Sequence, residues 1–240
     1  QELGLAPQVL DFATRADEAA YVAKQLKAAI EKGAKPAQLA VLYRVNGQSE
    51  LLENALAQVG IDYQLKGGER FFQRAEIQDA MRSIRAEIAA KTGKHPRESL
   101  VDIARVLGWS LKEPEAGSGR DRWESLNALL AIMDELPEGT DLPTFYAELE
   151  ERQRSQHEPV KAAVTLATIH AAKGLEWEQV FLFGLTDGYL PISYAKTEPQ
   201  IAEERRLLYV GITRARKLLT LTWSHEGEPS RFFKLLDAHA

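Results

Sequence analysis

The sequence predicts an α/β fold in which a parallel sheet is interrupted by an all-helical insertion. Short apolar runs bounded by Gly and Pro alternate with helical patterns in the first third of the chain, and this alternation returns near the C-terminus. Between them, amphipathic helical patterns occur without a convincing strand. The predicted sheet domain therefore comprises residues 1–90 and 160–240, and the insertion comprises residues 91–159.

Strands and helices alternate in the first third. The run Leu39–Tyr43 is continuously apolar, which is typical of a strand buried on both faces. Apolar residues recur at helical spacing from Asp17, the predicted N-cap, to Ile30. The predicted elements are strands at 8–12, 39–43 and 61–65 and helices at 17–30 and 48–59.

The remaining elements follow from the same patterns. Breaks rich in Gly, Pro and Ser separate the helices of the insertion. The predicted helices lie at 98–107, 123–136, 142–154 and 202–213, and the predicted strands lie at 163–169, 179–185 and 218–223.

Composition limits the possible functions. The 240 residues include no cysteine, which excludes disulfides and thiolate metal sites and suits the cytoplasm. No apolar run is long enough to cross a bilayer, and the start lacks both an initiator Met and a signal pattern, so we expect a segment of a longer protein. The net charge of −5 is unlike that of most nucleic-acid-binding domains. Local positive charge is limited to one stretch, which composition alone assigns to a solvated helix face: Arg205, Arg206, Arg214, Arg216 and Lys217.

Several catalytic motifs are absent from the sequence. There is no G-x-x-x-x-G-K-[ST] loop to hold nucleotide phosphates, and no acidic pair at the end of a predicted strand offers a magnesium site. The five histidines lack the i, i+4 spacing of a metal-binding helix. As a free-standing enzyme the chain is therefore incomplete.

The first informative stretch is Thr168-Ile-His-Ala-Ala-Lys-Gly-Leu-Glu-Trp177. A strand that runs into small residues and then Lys173-Gly174 presents backbone N–H groups and one ammonium, a combination that can hold phosphate. The alternative is that His170 is a satisfied core histidine and Lys173 is simply solvent-facing. For either residue alone, that alternative is favoured.

The second informative stretch, 203–216, reads Glu-Glu-Arg-Arg-Leu-Leu-Tyr-Val-Gly-Ile-Thr-Arg-Ala-Arg. On a helix, Leu207, Leu208 and Ile212 form one inward stripe, and Arg214 falls where the helix ends. An arginine in that place can reach across an interface and bind phosphate oxygens with its planar guanidinium. A surface salt-bridge network is the alternative, which spacing alone does not exclude.

Four strings, in order, resemble motifs of UvrD/Rep/PcrA-type superfamily 1 DNA helicases. The stretch 168–177 resembles motif V and 203–215 resembles motif VI. Upstream, Ala40-Val-Leu-Tyr-Arg-Val-Asn-Gly-Gln-Ser49 resembles motif IV, and 67–77 resembles the Gly-Gly-x-x-Phe-Phe motif. The stretches around Gly188-Tyr-Leu-Pro and Glu228-Pro-Ser-Arg-Phe are most similar to an actinobacterial subfamily.

The resemblance implies that residues 1–90 and 160–240 form the second RecA-like motor domain, called 2A. The insertion stands where the family has a domain called 2B, but it is short and lacks a Gly-Ile-Gly duplex-contacting element. It further implies a cytoplasmic, nucleoid-associated bacterial protein with no membrane contact, moving 3′ to 5′. The implied partners are ATP with Mg²⁺, bound mainly by an N-terminal RecA-like half, and single-stranded DNA with single-strand/double-strand junctions.

The resemblance also implies roles for individual residues. Arg214 and Arg44 would contact the γ-phosphate, Glu176 would bind the ribose, and Gly211 belongs to the nucleotide-binding group. No residue is implied as a metal ligand. Residue 50 is glutamate where many relatives carry arginine, which weakens any claim of a DNA or phosphate contact at that position. The residues implied to contact the single-stranded DNA backbone are Thr168, His170 and Lys173.

Two alternative functions remain open at this point. Related motors are fused to nucleases, so the chain is alternatively a motor fragment of a helicase–nuclease. It is also alternatively a non-catalytic binding module with relic motifs. The intact Arg44, Glu176 and Arg214 count against decay of the motifs.

Overall fold

The computed structural model describes residues 6–67, 69–114, 118–155 and 163–234, and its contacts divide into two compact units. One unit comprises Gln1–Gly68 and His157–Ala240, and the other comprises Glu69–Gln156. The first contains a parallel sheet and the second is helical. The predicted α/β class with a helical interruption is therefore confirmed.

The sheet of the first unit has six strands in the order β1–β6–β5–β2–β4–β3, and neighbouring strands are parallel. Because the strands are parallel, each connection must return from the carboxyl end of one strand to the amino end of the next. The elements of this unit are β1 (Gln8–Phe12), α1 (Arg15–Glu31), β2 (Leu39–Tyr43), α2 (Ser49–Gln58), β3 (Tyr63–Lys66), β4 (Val164–Thr168), β5 (Trp177–Leu182), α7 (Glu198–Ile212) and β6 (Ala215–Ser224).

Strand β2 shows why the sheet needs helices on both faces. All five of its residues are buried. Because side chains alternate across a strand, Val41 and its neighbours on one face pack with α1 and α2, whereas Ala40 and Leu42 pack in the core that contains Leu207 and Leu208 of α7. The inward stripe predicted for 203–216 is thus present.

Helices α1 and α7 both begin earlier than predicted. The N-cap of α1 is Thr14, whose Oγ1 accepts from the N–H of Asp17 at 3.0 Å, so Asp17 lies in the first turn. Helix α7 begins at Glu198, earlier than predicted, because Thr197 and Gln200 form a capping box. Both starts depend on local hydrogen bonds that apolar periodicity does not report.

The second unit is a cluster of four helices, whose core includes Phe71, Phe72 and Phe145. The structure places 69–90 in this unit, whereas the predicted boundary lay at residue 90. The reason is an apolar stripe on α3 that packs against the other three helices. No described helix has the length and apolar character needed to span a membrane. The helices are α3 (Ala75–Ala90), α4 (Pro96–Val106), α5 (Ser118–Asp134) and α6 (Leu142–Ser155).

Candidate functional site

Three predicted site residues meet at the carboxyl edge of the sheet. Arg44 directly follows β2, and Thr168 ends β4, which lies beside β2. The N–H of Ile169 donates to the carbonyl oxygen of Tyr43 at 2.8 Å and so aligns the two segments as they leave the sheet. The imidazole of His170 consequently lies within the field of the Arg44 charge.

Arg44 forms a bidentate ion pair with Glu204 of α7. Its Nη2 lies 2.8 Å from Oε1, and its Nε lies 3.0 Å from Oε2. The two side chains are only 11% and 9% exposed, so the pair is buried. Burial alone lowers the pKa of Arg44, but the hydrogen bonds and charge of Glu204 outweigh it and raise that pKa above its ordinary value. The guanidinium is therefore fully engaged.

The turn after β4 presents two predicted DNA-contacting side chains. Thr168 Oγ1 accepts from the N–H of Ala171 at 3.2 Å, which holds the start of the turn. His170 and Lys173 are both exposed. Partial burial of the imidazole, and then the charge of Arg44, lower the pKa of His170, so the ring is more readily neutral than an ordinary histidine.

Gly67 brings the turn after β3 against the turn after β4. Its φ is +83°, and a Cβ built on it would lie 2.4 Å from Cβ of Ala171. No other residue type fits this approach without backbone movement. Gly67 and the 168–173 turn therefore form one continuous surface at the carboxyl edge.

Arg214 lies at the opposite, amino edge of the sheet, between α7 and β6. Each of its three nitrogens donates to a neutral acceptor at 3.0 Å: Nε to the carbonyl of Val210, Nη1 to the carbonyl of Leu175, and Nη2 to Oγ1 of Thr213. Within the described ranges, no carboxylate oxygen lies within 4 Å of this guanidinium. The side chain is fixed in position while its charge remains unneutralised.

Glu176 lies beside Arg214 because β5 and β6 begin together. The N–H of Trp177 donates to the carbonyl oxygen of Arg214 at 2.9 Å. The exposed carboxylate of Glu176 accepts from Nε of Arg216 at 2.9 Å. The structure thus brings Glu176 and Arg214 together, and it adds Arg216 as a second cation.

Arg44 and Arg214 are not brought together. Leu42 of β2 pairs with Leu182 at the end of β5, whereas Ala215 pairs with Trp177 at its start. At about 3.3 Å per residue, the two ends of β5 lie about 16 Å apart, and each arginine lies beyond a different end. The two guanidiniums point to separate sets of acceptors.

The motif strings lie at these two edges of a parallel sheet. Comparison with known proteins identifies the family to which they belong. A model of the UvrD-like helicase C-terminal domain matches residues 1–101 and 83–226. The chain belongs to this family. The ATP-dependent DNA helicase UvrD2 of Mycobacterium tuberculosis is 44% identical in an alignment of 237 positions that covers 95% of this chain and 34% of that protein.

Other relatives agree with this membership. DNA helicase II of Escherichia coli is 32% identical, covering 87% of this chain and 40% of its own length. ATP-dependent DNA helicase PcrA of Staphylococcus epidermidis is 26% identical, with 97% and 45% coverage. The chain therefore spans less than half the length of these relatives, and its resemblance to an actinobacterial subfamily is confirmed by the mycobacterial match.

In this UvrD-like C-terminal domain, Gly211 has a packing role. It lies within α7, where a Cβ would meet Cδ2 of Leu182 at 2.9 Å and Cγ2 of Ile169 at 3.4 Å. The helix can approach the sheet only because this position has no side chain. Gly211 is buried, and its carbonyl oxygen accepts from the N–H of Arg214 at 3.2 Å.

Sequence reasoning did not identify Glu204 or Arg216 as site residues of this UvrD-like domain. Glu204 is the second glutamate of the Glu-Glu-Arg-Arg string, but periodicity does not reveal which of the two is buried. The described residues hold no group of three or more His, Asp or Glu side chains arranged for a metal ion.

Proposed function

We propose that this chain is the second motor domain, 2A, of an ATP-dependent DNA helicase or translocase, with a reduced helical insertion in place of 2B. It acts together with an N-terminal RecA-like half that holds ATP and Mg²⁺. We call the protein that contains both halves the two-half protein. The family membership of the chain and the unneutralised charge of Arg214 support this role.

The arrangement of Arg214 is the observation that carries the proposal. Three neutral acceptors fix the guanidinium at the end of α7 without cancelling its charge. A positioned cation of this kind stabilises the charge that develops on a transferring phosphoryl group. We assign Arg214 as an arginine finger that reaches the γ-phosphate of ATP held by the other half.

Glu176 is assigned to the ribose of the same nucleotide. It lies at the same edge of the sheet as Arg214, and its carboxylate is exposed and can accept from ribose hydroxyls. Its pairing with Arg216 is between exposed groups, which is typically worth less than about 1 kcal/mol and is easily exchanged for a ligand. Gly211 supports this edge through the packing of α7.

Thr168, His170 and Lys173 are assigned to the backbone of single-stranded DNA. They occupy the turn at the carboxyl edge, away from the nucleotide edge. Contacts of this type read phosphate rather than base, so we expect weak sequence preference and strong salt dependence. Single-strand/double-strand junctions are the expected loading sites, and the resemblance implies 3′-to-5′ movement.

Closure of the two halves on ATP would bring Arg214 onto the nucleotide, and hydrolysis would release it. Alternating grip on the DNA backbone then converts closure into translocation, a hinge motion between two rigid bodies. Magnesium would come with the nucleotide on the other half.

The test is ATP hydrolysis with magnesium and single-stranded DNA, measured on this chain alone and on the two-half protein. We expect no turnover by the chain alone and DNA-stimulated turnover by the two-half protein. Clear turnover by the chain alone would contradict the assignment of Arg214 as a contact made from across an interface.

A further inference from the structure

The buried Arg44–Glu204 pair joins separate parts of the sheet unit. Arg44 follows β2, and Glu204 lies in α7, 160 positions later. Glu204 Oε2 also accepts from the N–H of Ile192, at 3.1 Å, in the segment between β5 and α7. Both carboxylate oxygens are therefore used, and three chain segments depend on one side chain.

The main chain around Arg44 is fixed as well. Its N–H donates to Oε1 of Gln48 at 2.9 Å, and the N–H of Val45 donates to the same oxygen at 3.0 Å. Tyr194 adds a side-chain hydrogen bond to the guanidinium. Arg44 is thus held at both its backbone and its side chain.

These contacts place Arg44 poorly for binding a nucleotide. Removing its guanidinium from Glu204 would leave a buried carboxylate without its counter-charge, which is strongly unfavourable. The nucleotide edge, with Glu176 and Arg214, also lies beyond the other end of β5. The pair is instead beside the turn that carries His170, whose titration responds to the charges of Arg44 and Glu204.

Helix α7 connects the two edges. Glu204 and Arg214 lie ten residues apart, with α7 continuous to Ile212, so at 1.5 Å per residue they are separated by about 15 Å along the axis. The close approach of Gly211 to Leu182 prevents the helix from shifting freely on the sheet. A displacement of one end is therefore transmitted to the other.

We propose that Arg44 and Glu204 are positioning residues, which fix the DNA-proximal end of α7 to the DNA-facing turn and thereby let bound single-stranded DNA set the placement of Arg214. Arg44 itself does not contact the nucleotide. This inference rests on the proposed function, because it requires DNA at one edge of the sheet and ATP at the other.

The test uses Arg44→Gln and Glu204→Gln in the two-half protein, with ATPase measured as a function of single-stranded oligothymidylate and of ATP. Both variants should lose DNA stimulation by about tenfold, the size of a typical coupling effect, while the KM for ATP changes by less than about twofold. Because the two residues act as a unit, the double variant should be no worse than either single variant.

The matched control is Arg231→Gln with Asp187→Asn, an ion pair of the same type that is more exposed, with side chains 56% and 27% exposed. Replacing both residues of this pair should leave DNA stimulation unchanged. Circular dichroism and thermal unfolding identify variants that fail to fold. If Arg44→Gln or Glu204→Gln does not fold, the conservative variants Arg44→Lys and Glu204→Asp are measured instead. They should show the same loss of DNA stimulation with little change in the KM for ATP.

Two outcomes would overturn the inference. A phosphate-binding Arg44 would make Arg44→Gln behave like Arg214→Ala, with lost turnover at every DNA concentration, while Glu204→Gln retained DNA stimulation. Full stimulation in correctly folded variants would show a merely structural pair. Absence of DNA-stimulated turnover in the unmodified two-half protein would instead contradict the proposed function.

Discussion

The guanidinium of Arg214 donates through Nη1 to the carbonyl oxygen of Leu175 at 3.0 Å, directly before Glu176. This hydrogen bond ties the end of α7 to the segment that leads into β5. The arginine is therefore positioned by main-chain carbonyls rather than by an acidic partner, so that its orientation is fixed and its charge is retained. Nucleotide binding need not first break an ion pair of this residue.

The first prediction concerns Arg214→Ala and Arg214→Lys in the two-half protein. Loss of an arginine finger typically lowers the rate by about 10³ to 10⁵, so DNA-stimulated ATPase should fall by that order in the alanine variant. Lysine lacks the planar set of donors that meets three acceptors and should restore little of the rate. Steady-state ATP hydrolysis at saturating DNA measures both effects.

Arg231→Ala is a suitable control for these variants, since Arg231 is an exposed arginine of the same unit that pairs with Asp187. It should turn over ATP as the unmodified protein does. Turnover within about tenfold of normal in Arg214→Ala, in a protein that remains folded, would remove the arginine-finger assignment.

The second prediction distinguishes the role of Glu176 in ATP binding from that of its neighbour Arg216. If Glu176 binds ribose, Glu176→Ala should raise the KM for ATP by about tenfold with little change in kcat, the pattern of a binding contact. Arg216→Ala frees the same carboxylate from its 2.9 Å hydrogen bond and should leave the KM unchanged or lower it. A rise of KM in both variants would mean that the ion pair itself, rather than the free carboxylate, is needed.

The third prediction concerns DNA binding through Lys173. Its ammonium is exposed in the turn after β4, so Lys173→Ala should weaken binding of the two-half protein to single strands of any sequence and reduce the salt slope by about one unit. Fluorescence anisotropy across a salt series measures both quantities. Lys217→Ala, which alters an exposed lysine at the other edge of the sheet, should leave the slope as it is. An unchanged slope in Lys173→Ala would exclude a phosphate contact.

The fourth prediction concerns Gly211 and is a prediction of stability. In Gly211→Ala, the added methyl group would lie 2.9 Å from Cδ2 of Leu182, and overpacking of this kind typically costs about 1–3 kcal/mol. Gly119 in α5 has open space around its Cβ position, so Gly119→Ala should be neutral or stabilising by up to about 1 kcal/mol. Urea unfolding of the chain compares the two. Equal stabilities would show that α7 can move away from the sheet at no cost.

The sequence is sufficient to predict the parallel sheet, but not the pairing of charged side chains or the edge of the sheet at which each predicted site residue lies. Apolar runs such as Leu39–Tyr43 identify buried strands because their burial on both faces excludes polar residues. Arg44, by contrast, finds its partner 160 positions away in Glu204. Such long-range pairing depends on the fold as a whole, so no local spacing reveals that Arg44 and Arg214 lie at opposite edges.

Glu18 of α1 is another charged residue whose hydrogen-bond partners are distant in the sequence, and one of them, Thr222, lies in β6. Its side chain is fully buried, and Oε1 accepts from the N–H of Gly184 at 2.7 Å and from Oγ1 of Thr222 at 2.5 Å. Among the described residues, Oε2 has no hydrogen-bond partner. Burial raises the pKa of this carboxyl to about 7, although the hydrogen bonds from Thr222 and Gly184 oppose the rise.

The fifth prediction is that Glu18 makes the chain less stable as the pH rises. The unfolded carboxyl has an ordinary pKa near 4.5, so between that pH and about 7 the folded state binds the proton and is stabilised by it. This contribution is complete below pH 4.5, decreases as the pH rises from there to about 7, and is absent above pH 7. The difference amounts to about 2–3 kcal/mol between pH 5 and pH 8, as an order of magnitude. Glu18→Gln mimics the protonated form and should lack this component.

Urea unfolding of both proteins at several pH values from 5 to 8 checks this, because all other titrating groups cancel when the two stabilities are subtracted. The unmodified chain should lose stability relative to Glu18→Gln as the pH rises from 5 to about 7, and the difference should level off above neutrality. Thr222→Val is informative as well, since it removes one of the two donors that favour the ionised carboxylate and should shift the transition to higher pH. A difference in stability that stayed constant with pH would show that Glu18 titrates normally in the folded protein.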